Sequence, residues 1–123
     1  MGGRGTFAVG NNVKYQYKTI DKIENVKVLQ GTGQFHNLPE EAHSSRAYIK
    51  VDSKGNFVRY REFNPDHTSH FDIDYHSEPK ITGNNTDRVF HIHFYNKYGV
   101  RDPVGRLLTN EEYLKYKKLF RGR

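Results

Sequence analysis

The sequence predicts an α+β domain, a twisted antiparallel meander whose apolar face is covered by a C-terminal helix. Three observations predict it. Arg88 to Asn96 alternates strictly, setting Phe90, Ile92 and Phe94 against His91, His93 and Tyr95, and side chains along a strand point to opposite faces with period two. Thr109-Asn110-Glu111-Glu112 has the pattern of a capping box, and Tyr113, Tyr116 and Phe120 follow on one helical face. Only 34% of the 123 residues are hydrophobic, yet Tyr and Phe supply the whole 14% aromatic fraction, and aromatic residues favour strands and bury large areas.

The elements follow in order. Met1 to Asn12 is rich in glycine and reads as a flexible arm ahead of a single domain, 13–123. Val13 to Ile23 alternates apolar and polar residues, and Glu24-Asn25 separates it from Val26 to Leu29, which predicts a hairpin. Gly31 to Asn37 reads as a loop, and Leu38 to Ser44 as one helical turn with Pro39 at its first position. Arg46 to Val51 and Phe57 to Phe63 flank the turn-rich Asp52–Asn56. Asn64-Pro65-Asp66 turns the chain into a strand over Ser69 to His76, and a polar loop over Pro79 to Asp87 leads to the strand at Arg88. Gly99 to Arg106 is irregular, and the capped helix runs to about Phe120.

Paired as a meander, these strands put Ala47, Ile49, Val51, Val58, Tyr60, Phe71, Ile73, Tyr75, Phe90, Ile92 and Phe94 on an inner face. Tyr48, Lys50, Arg59, Arg61, Asp72, Asp74, His76, His91, His93 and Tyr95 fall on an outer, solvent-side face. His36 and His43 lie in loops at its edge. Imidazoles exchange protons near neutral pH, and a guanidinium clamps phosphate through a planar fork.

Three readings of this face compete. A metal-independent phosphodiesterase needs a base, an acid and cations, which histidine, arginine, lysine and tyrosine supply. A divalent metal could be held by His91 and His93 with His76 or Asp74. The third reading is a plain solvated or partner-binding surface.

Composition narrows the classes. The chain has no cysteine, which excludes disulfides, thiolate metal sites and a cysteine nucleophile. It has no run of apolar residues long enough for a membrane span, so a cytoplasmic protein without membrane partners is expected. No glycine-rich phosphate loop or GxSxG elbow occurs, and no cofactor is expected. Net charge is +6 with a pI near 9.5, which favours an anionic partner, with RNA leading among polyanions. Lys115, Lys117, Lys118, Arg121 and Arg123 concentrate positive charge in the last fifteen residues. Arg121 and Arg123 are expected in a frayed helix end, where they can adapt to phosphates.

The opening Met-Gly-Gly-Arg-Gly resembles the starts of small proteins in phage and prophage clusters of Gram-positive bacteria. Ala42-His43-Ser44-Ser45, Tyr60-Arg61-Glu62-Phe63, Asp72-Ile73-Asp74-Tyr75-His76 and His91-Ile92-His93 are together similar to C-terminal domains of phage head proteins and polymorphic toxins. The resemblance covers about residues 31–96. Such domains include ribonucleases of the barnase, EndoU and RelE-like type, with N-terminal helices on a four-stranded antiparallel sheet. The resemblance implies functional positions at His76, His91, His93 and Arg61, and a bacterial host cytoplasm. This chain departs from the pattern in its N-terminal hairpin and C-terminal helix.

The leading expectation is a phage-type protein that acts on or binds RNA, a metal-independent endoribonuclease. His91 or His93 would be the general base and His76 the other proton-transfer group. Arg59, Arg61, Tyr95, Lys117, Lys118 and Arg121 would contact substrate. The alternative is a non-catalytic inhibitor that binds and blocks a host defence nucleoprotein or enzyme.

Overall fold

The computed structural model describes residues 17–31, 37–42 and 45–123. Seven strands form one sheet in the order of the chain: β1 (Tyr17–Ile23), β2 (Val26–Gly31), β3 (Ala47–Val51), β4 (Phe57–Phe63), β5 (Ser69–Ser77), β6 (Arg88–Phe94) and β7 (Arg106–Leu107). A short helix α1 (Pro79–Thr82) lies between β5 and β6, and α2 (Asn110–Tyr116) follows β7, continued by a 3-10 turn at Lys117–Leu119. No helix among the described residues is long and apolar enough to cross a membrane. The expected arm at 1–12, residues 13–16 of the first strand, His36 and His43 lie outside the described residues.

The β1–β2 hairpin forms where expected. Glu24 and Asn25 both adopt positive φ (49° and 68°), the geometry whose twist matches that of the flanking strands. The meander from β3 to β6 is antiparallel with β3–β4, β4–β5 and β5–β6 in sequence order. The sheet as a whole is mixed, because β2 and β3 run parallel through Lys27↔Tyr48 and Val28↔Ile49. Residues 38–42 form no helical turn; Glu41 instead makes an isolated bridge with Thr68, and Ser69 Oγ donates to the Glu40 carbonyl at 2.7 Å.

One side of the sheet carries the main apolar cluster: Ile23, Val28, Ile49, Phe57, Tyr60, Phe71, Ile73 and Ile92, with Leu119 and Phe120 from the C-terminal segment. Phe120 stacks on Phe90 with centroids 4.4 Å apart, and Tyr116 lies 5.4 Å from Tyr60. Thr109 Oγ1 accepts from the Glu112 amide at 3.1 Å while the Glu112 carboxylate accepts from the Thr109 amide at 2.9 Å. This is the expected capping box, an arrangement that contributes about 1 kcal/mol.

Two positions depart from the inner-face expectation. Lys50 pairs with Arg59 and Val51 with Phe57, so Val58 is an extra residue in β4. That bulge turns Val58 to the opposite side and hands the core position to Phe57. Phe94, at the end of β6, stays exposed.

The larger correction concerns the other side, which is not a solvent face. Tyr17, Leu29, Leu38, Ala42, Tyr48 and Phe63 form a second apolar cluster there, with the Tyr48 and Phe63 rings 5.5 Å apart. Beside it Arg61, Asp72, Asp74, His91 and His93 are all buried.

Candidate functional site

Strand register builds the buried polar side. Arg59 stands opposite Asp74, which stands opposite His91; Arg61 stands opposite Asp72, which stands opposite His93. Opposite charges directly across strands attract, so each rung is paired by the alternation of the three strands.

Asp74 Oδ1 accepts from Arg59 Nε at 2.6 Å, and its Oδ2 from Arg59 Nη2 at 2.9 Å and Arg101 Nη2 at 2.7 Å. Burial alone would raise the Asp74 carboxyl, but Arg59, Arg101 and His91 outweigh it and hold its pKa below the usual carboxylate value. Asp72 is wholly buried and takes a two-pronged contact from Arg61 at 2.6 and 3.1 Å. It also accepts from the Tyr95 hydroxyl at 2.8 Å and has Arg101 Nε at 3.2 Å. Burial, with the Asp72 charge, pushes the Tyr95 phenol up to about 12, so it remains a donor. Arg61 Nη1 donates to the Leu38 and Pro39 carbonyls at 2.9 and 3.0 Å, fastening segment 37–42 over the sheet.

The histidines are oriented by carbonyls. His91 Nδ1 lies 3.0 Å from the Val89 oxygen, and His93 Nδ1 lies 2.8 Å from the Asp102 oxygen. A carbonyl only accepts, so each Nδ1 carries a proton, and Nε2 is the nitrogen left to face the cavity groups. His91 Nε2 is 3.8 Å from Asp74, and His93 Nε2 is 3.8 Å from Glu78. The rings meet edge to face with centroids 5.0 Å apart and are 2% and 3% exposed. Burial lowers the His91 pKa, outweighing the upward pull of the Val89 carbonyl and Asp74, so this imidazole is neutral at pH 7. A Cβ at Gly105 would stand 3.0 Å from His93 Nε2; glycine there leaves the ring its space.

These groups line a cavity of about 460 Å³ together with Lys50, His76, Glu78 and Arg101. Three cations, Lys50, Arg59 and Arg101, face two carboxylates, Asp74 and Glu78. Among the described residues the Lys50 ammonium makes no hydrogen bond or ion pair, while Asp74 is already shared by two guanidinium groups. Burial, then the neighbouring Arg59 charge, lowers the Lys50 pKa. An anion entering the cavity would relieve that cost.

Asp74, His91 and His93 also bring one ligand atom each within 4.8 Å of one another, a set that a divalent ion takes. The surrounding charge opposes an ion there, because both Asp74 oxygens are held by arginines and Lys50 stands alongside.

Of the residues expected from sequence, His76, His91, His93 and Arg59 converge on this cavity. His76 is exposed, with Nδ1 3.0 Å from the Ser77 carbonyl. Arg61 and Tyr95 line an adjoining cavity instead. Lys117 and Lys118 are exposed and line neither. Arg121 pairs with Asp21 at 2.7 Å, and its carbonyl accepts from the Phe57 amide at 2.8 Å. Arg123 donates to the Phe57 carbonyl at 2.9 Å and covers the Tyr75 ring at 4.7 Å. Both arginines are anchored, not frayed. Sequence reasoning gave no role to Arg101 or Glu78. Arg101 sits in a stretch without periodicity, where an isolated bridge to Tyr95 positions its backbone.

Comparison with protein families, curated proteins and solved structures finds no match to this chain.

Proposed function

We propose that this protein is a metal-independent endoribonuclease. The observation that carries the reading is the convergence of three cations, Lys50, Arg59 and Arg101, with two carbonyl-oriented histidines on one cavity. Such a site suits a phosphodiester, since positioned cations stabilise charge that grows in the transition state. Neutral His91 takes the proton of the ribose 2′-hydroxyl through Nε2 as that oxygen bonds to phosphorus. The bond from phosphorus to the 5′-oxygen breaks, and the departing oxygen takes a proton from His76 at the cavity mouth. The products are a 2′,3′-cyclic phosphate and a 5′-hydroxyl end. Lys50 and Arg101 balance the phosphorane charge, and Arg59, fixed by Asp74 and by Asn37 at 2.7 Å, orients the phosphate. His93 flanks His91 and is set beside Glu78.

The test is a mixed-sequence RNA incubated with the protein in excess EDTA. Cleavage leaving cyclic phosphate ends is expected. RNA that stays intact in EDTA but is cut after zinc or manganese is added would overturn the metal-independent mechanism in favour of an ion at Asp74, His91 and His93. RNA bound and never cut would leave a binding module.

A further inference from the structure

A second cavity of about 700 Å³ adjoins the first and shares Asn37 and Arg101 with it. It is lined by Tyr95, Lys97, Tyr98 and Glu41 among others. Tyr98 is 78% exposed, yet its backbone is well held. Asn96 Oδ1 accepts from the Tyr98 and Val100 amides at 2.8 and 3.1 Å, and the Asn96 amide donates to the Val100 carbonyl at 2.9 Å. A large aromatic ring is thus presented to solvent from a structured turn, with the Lys97 ammonium 5.2 Å from its centroid. Glu41, in the lining of the same cavity, is half-buried, and among the described residues its carboxylate makes no hydrogen bond or ion pair. The isolated bridge to Thr68 fixes its backbone.

We infer that this second cavity is a nucleobase subsite for the nucleotide flanking the phosphate, with the base stacked on Tyr98 and its N–H edge toward Glu41. The inference rests on the ribonuclease reading for the position of that phosphate. The Arg101 guanidinium, shared by both cavities, lies where the strand passes from one to the other. Stacking on an aromatic side chain tolerates any base. A carboxylate does not, because it only accepts hydrogen bonds. Guanine alone offers two adjacent N–H donors, N1 and N2, to its two oxygens. The ligand is therefore an unpaired guanosine in single-stranded RNA. A duplex hides both the ring face and that edge.

The test separates binding from cleavage. Fluorescein-labelled 2′-O-methyl octamers cannot be cut, because the attacking hydroxyl is blocked; one is all uridine, and one carries a central guanosine. By anisotropy the guanosine octamer is expected to bind at least tenfold tighter. Tyr98→Ala should weaken both octamers by roughly 5- to 150-fold, the range for loss of one base stack. Glu41→Gln should erase the preference for guanosine while sparing uridine binding. Equal affinity for the two octamers, or variants indistinguishable from the parent, overturns the subsite even if unmodified RNA is cleaved. Failure to cleave ordinary RNA with the guanosine preference intact overturns the ribonuclease reading alone. Both substitutions are at surface or half-buried positions outside the proton-transfer groups, and circular dichroism checks the fold.

Discussion

His91→Ala is expected to slow RNA cleavage by about 10²- to 10⁴-fold, the usual contribution of a positioned proton-transfer group. The fold should persist, because Ile92 on the opposite face remains in the main core. Imidazole added to the buffer should restore part of the lost rate, which a merely structural role would not allow. The pH profile gives an independent reading. Burial holds the His91 pKa below that of a free imidazole, and a depressed pKa leaves the base deprotonated to lower pH. The acid limb of kcat/KM is therefore expected below pH ~6.5, falling as pH drops through the lowered value. Asp74→Asn removes a charge that raises the His91 pKa, so that limb should move further toward acid. A limb that stays in place, or a His91→Ala protein with full activity, would remove His91 from the mechanism.

Asp72→Ala is expected to cost about 3–5 kcal/mol in urea unfolding, as breaking a buried ion pair from one side does. Asp72 is fully enclosed and accepts from Arg61 and Tyr95, with Arg101 Nε at 3.2 Å. Without it the Arg61 guanidinium is left buried with, among the described residues, the Leu38 and Pro39 carbonyls as its hydrogen-bond acceptors and the Tyr95 ring 5.5 Å away. Against a total stability of about 5–15 kcal/mol for a domain, such a loss is large. A cost below about 1 kcal/mol would mean that water reaches Arg61. The second aspartate adds a pH dependence of defined sign. The folded Asp74 pKa lies below its unfolded value. Its contribution to stability is thus complete above about pH 4 and is lost as pH falls through the lowered value.

Much of the fold is written locally. The alternation of Phe90 and Ile92 with the histidines, the Glu24-Asn25 turn and the Thr109–Glu112 box each act within a few residues, and each is found in place. The parallel β2–β3 pairing depends on where a connection returns, which no short-range pattern encodes. The bulge at Val58 shifts the alternation by one residue, and a strict period-two reading passes over it.

The histidine side was read with the right residues and the wrong environment. Arg59 and Arg61, Asp72 and Asp74, His91 and His93 are polar and alternate, which equally fits a wet face. The sign of charge distinguishes the two cases. Arg59 and Arg61, two apart in β4, lie opposite Asp74 and Asp72, two apart in β5, so the rungs are compensated and can be buried. The segments that close over them, around residues 37–42 and Arg101, carry no hydrophobic period and could not be placed in advance.

The chain-order sheet also bears on how the molecule assembles. From β3 to β6 every seam joins consecutive strands, two through five-residue turns and the third through the segment that holds α1, so little chain entropy is spent closing each one. β5 and β6 share seven paired positions, whereas β2 and β3 share two, across the longest connection between neighbouring strands. The N-terminal hairpin is therefore expected to open ahead of the four-strand block, exposing Val28 and Leu29 while the residues that line the histidine cavity stay in place. Amide protons of β2 should accordingly exchange with solvent well ahead of those in β5, and equal protection across both strands would mean that hairpin and block unfold as one.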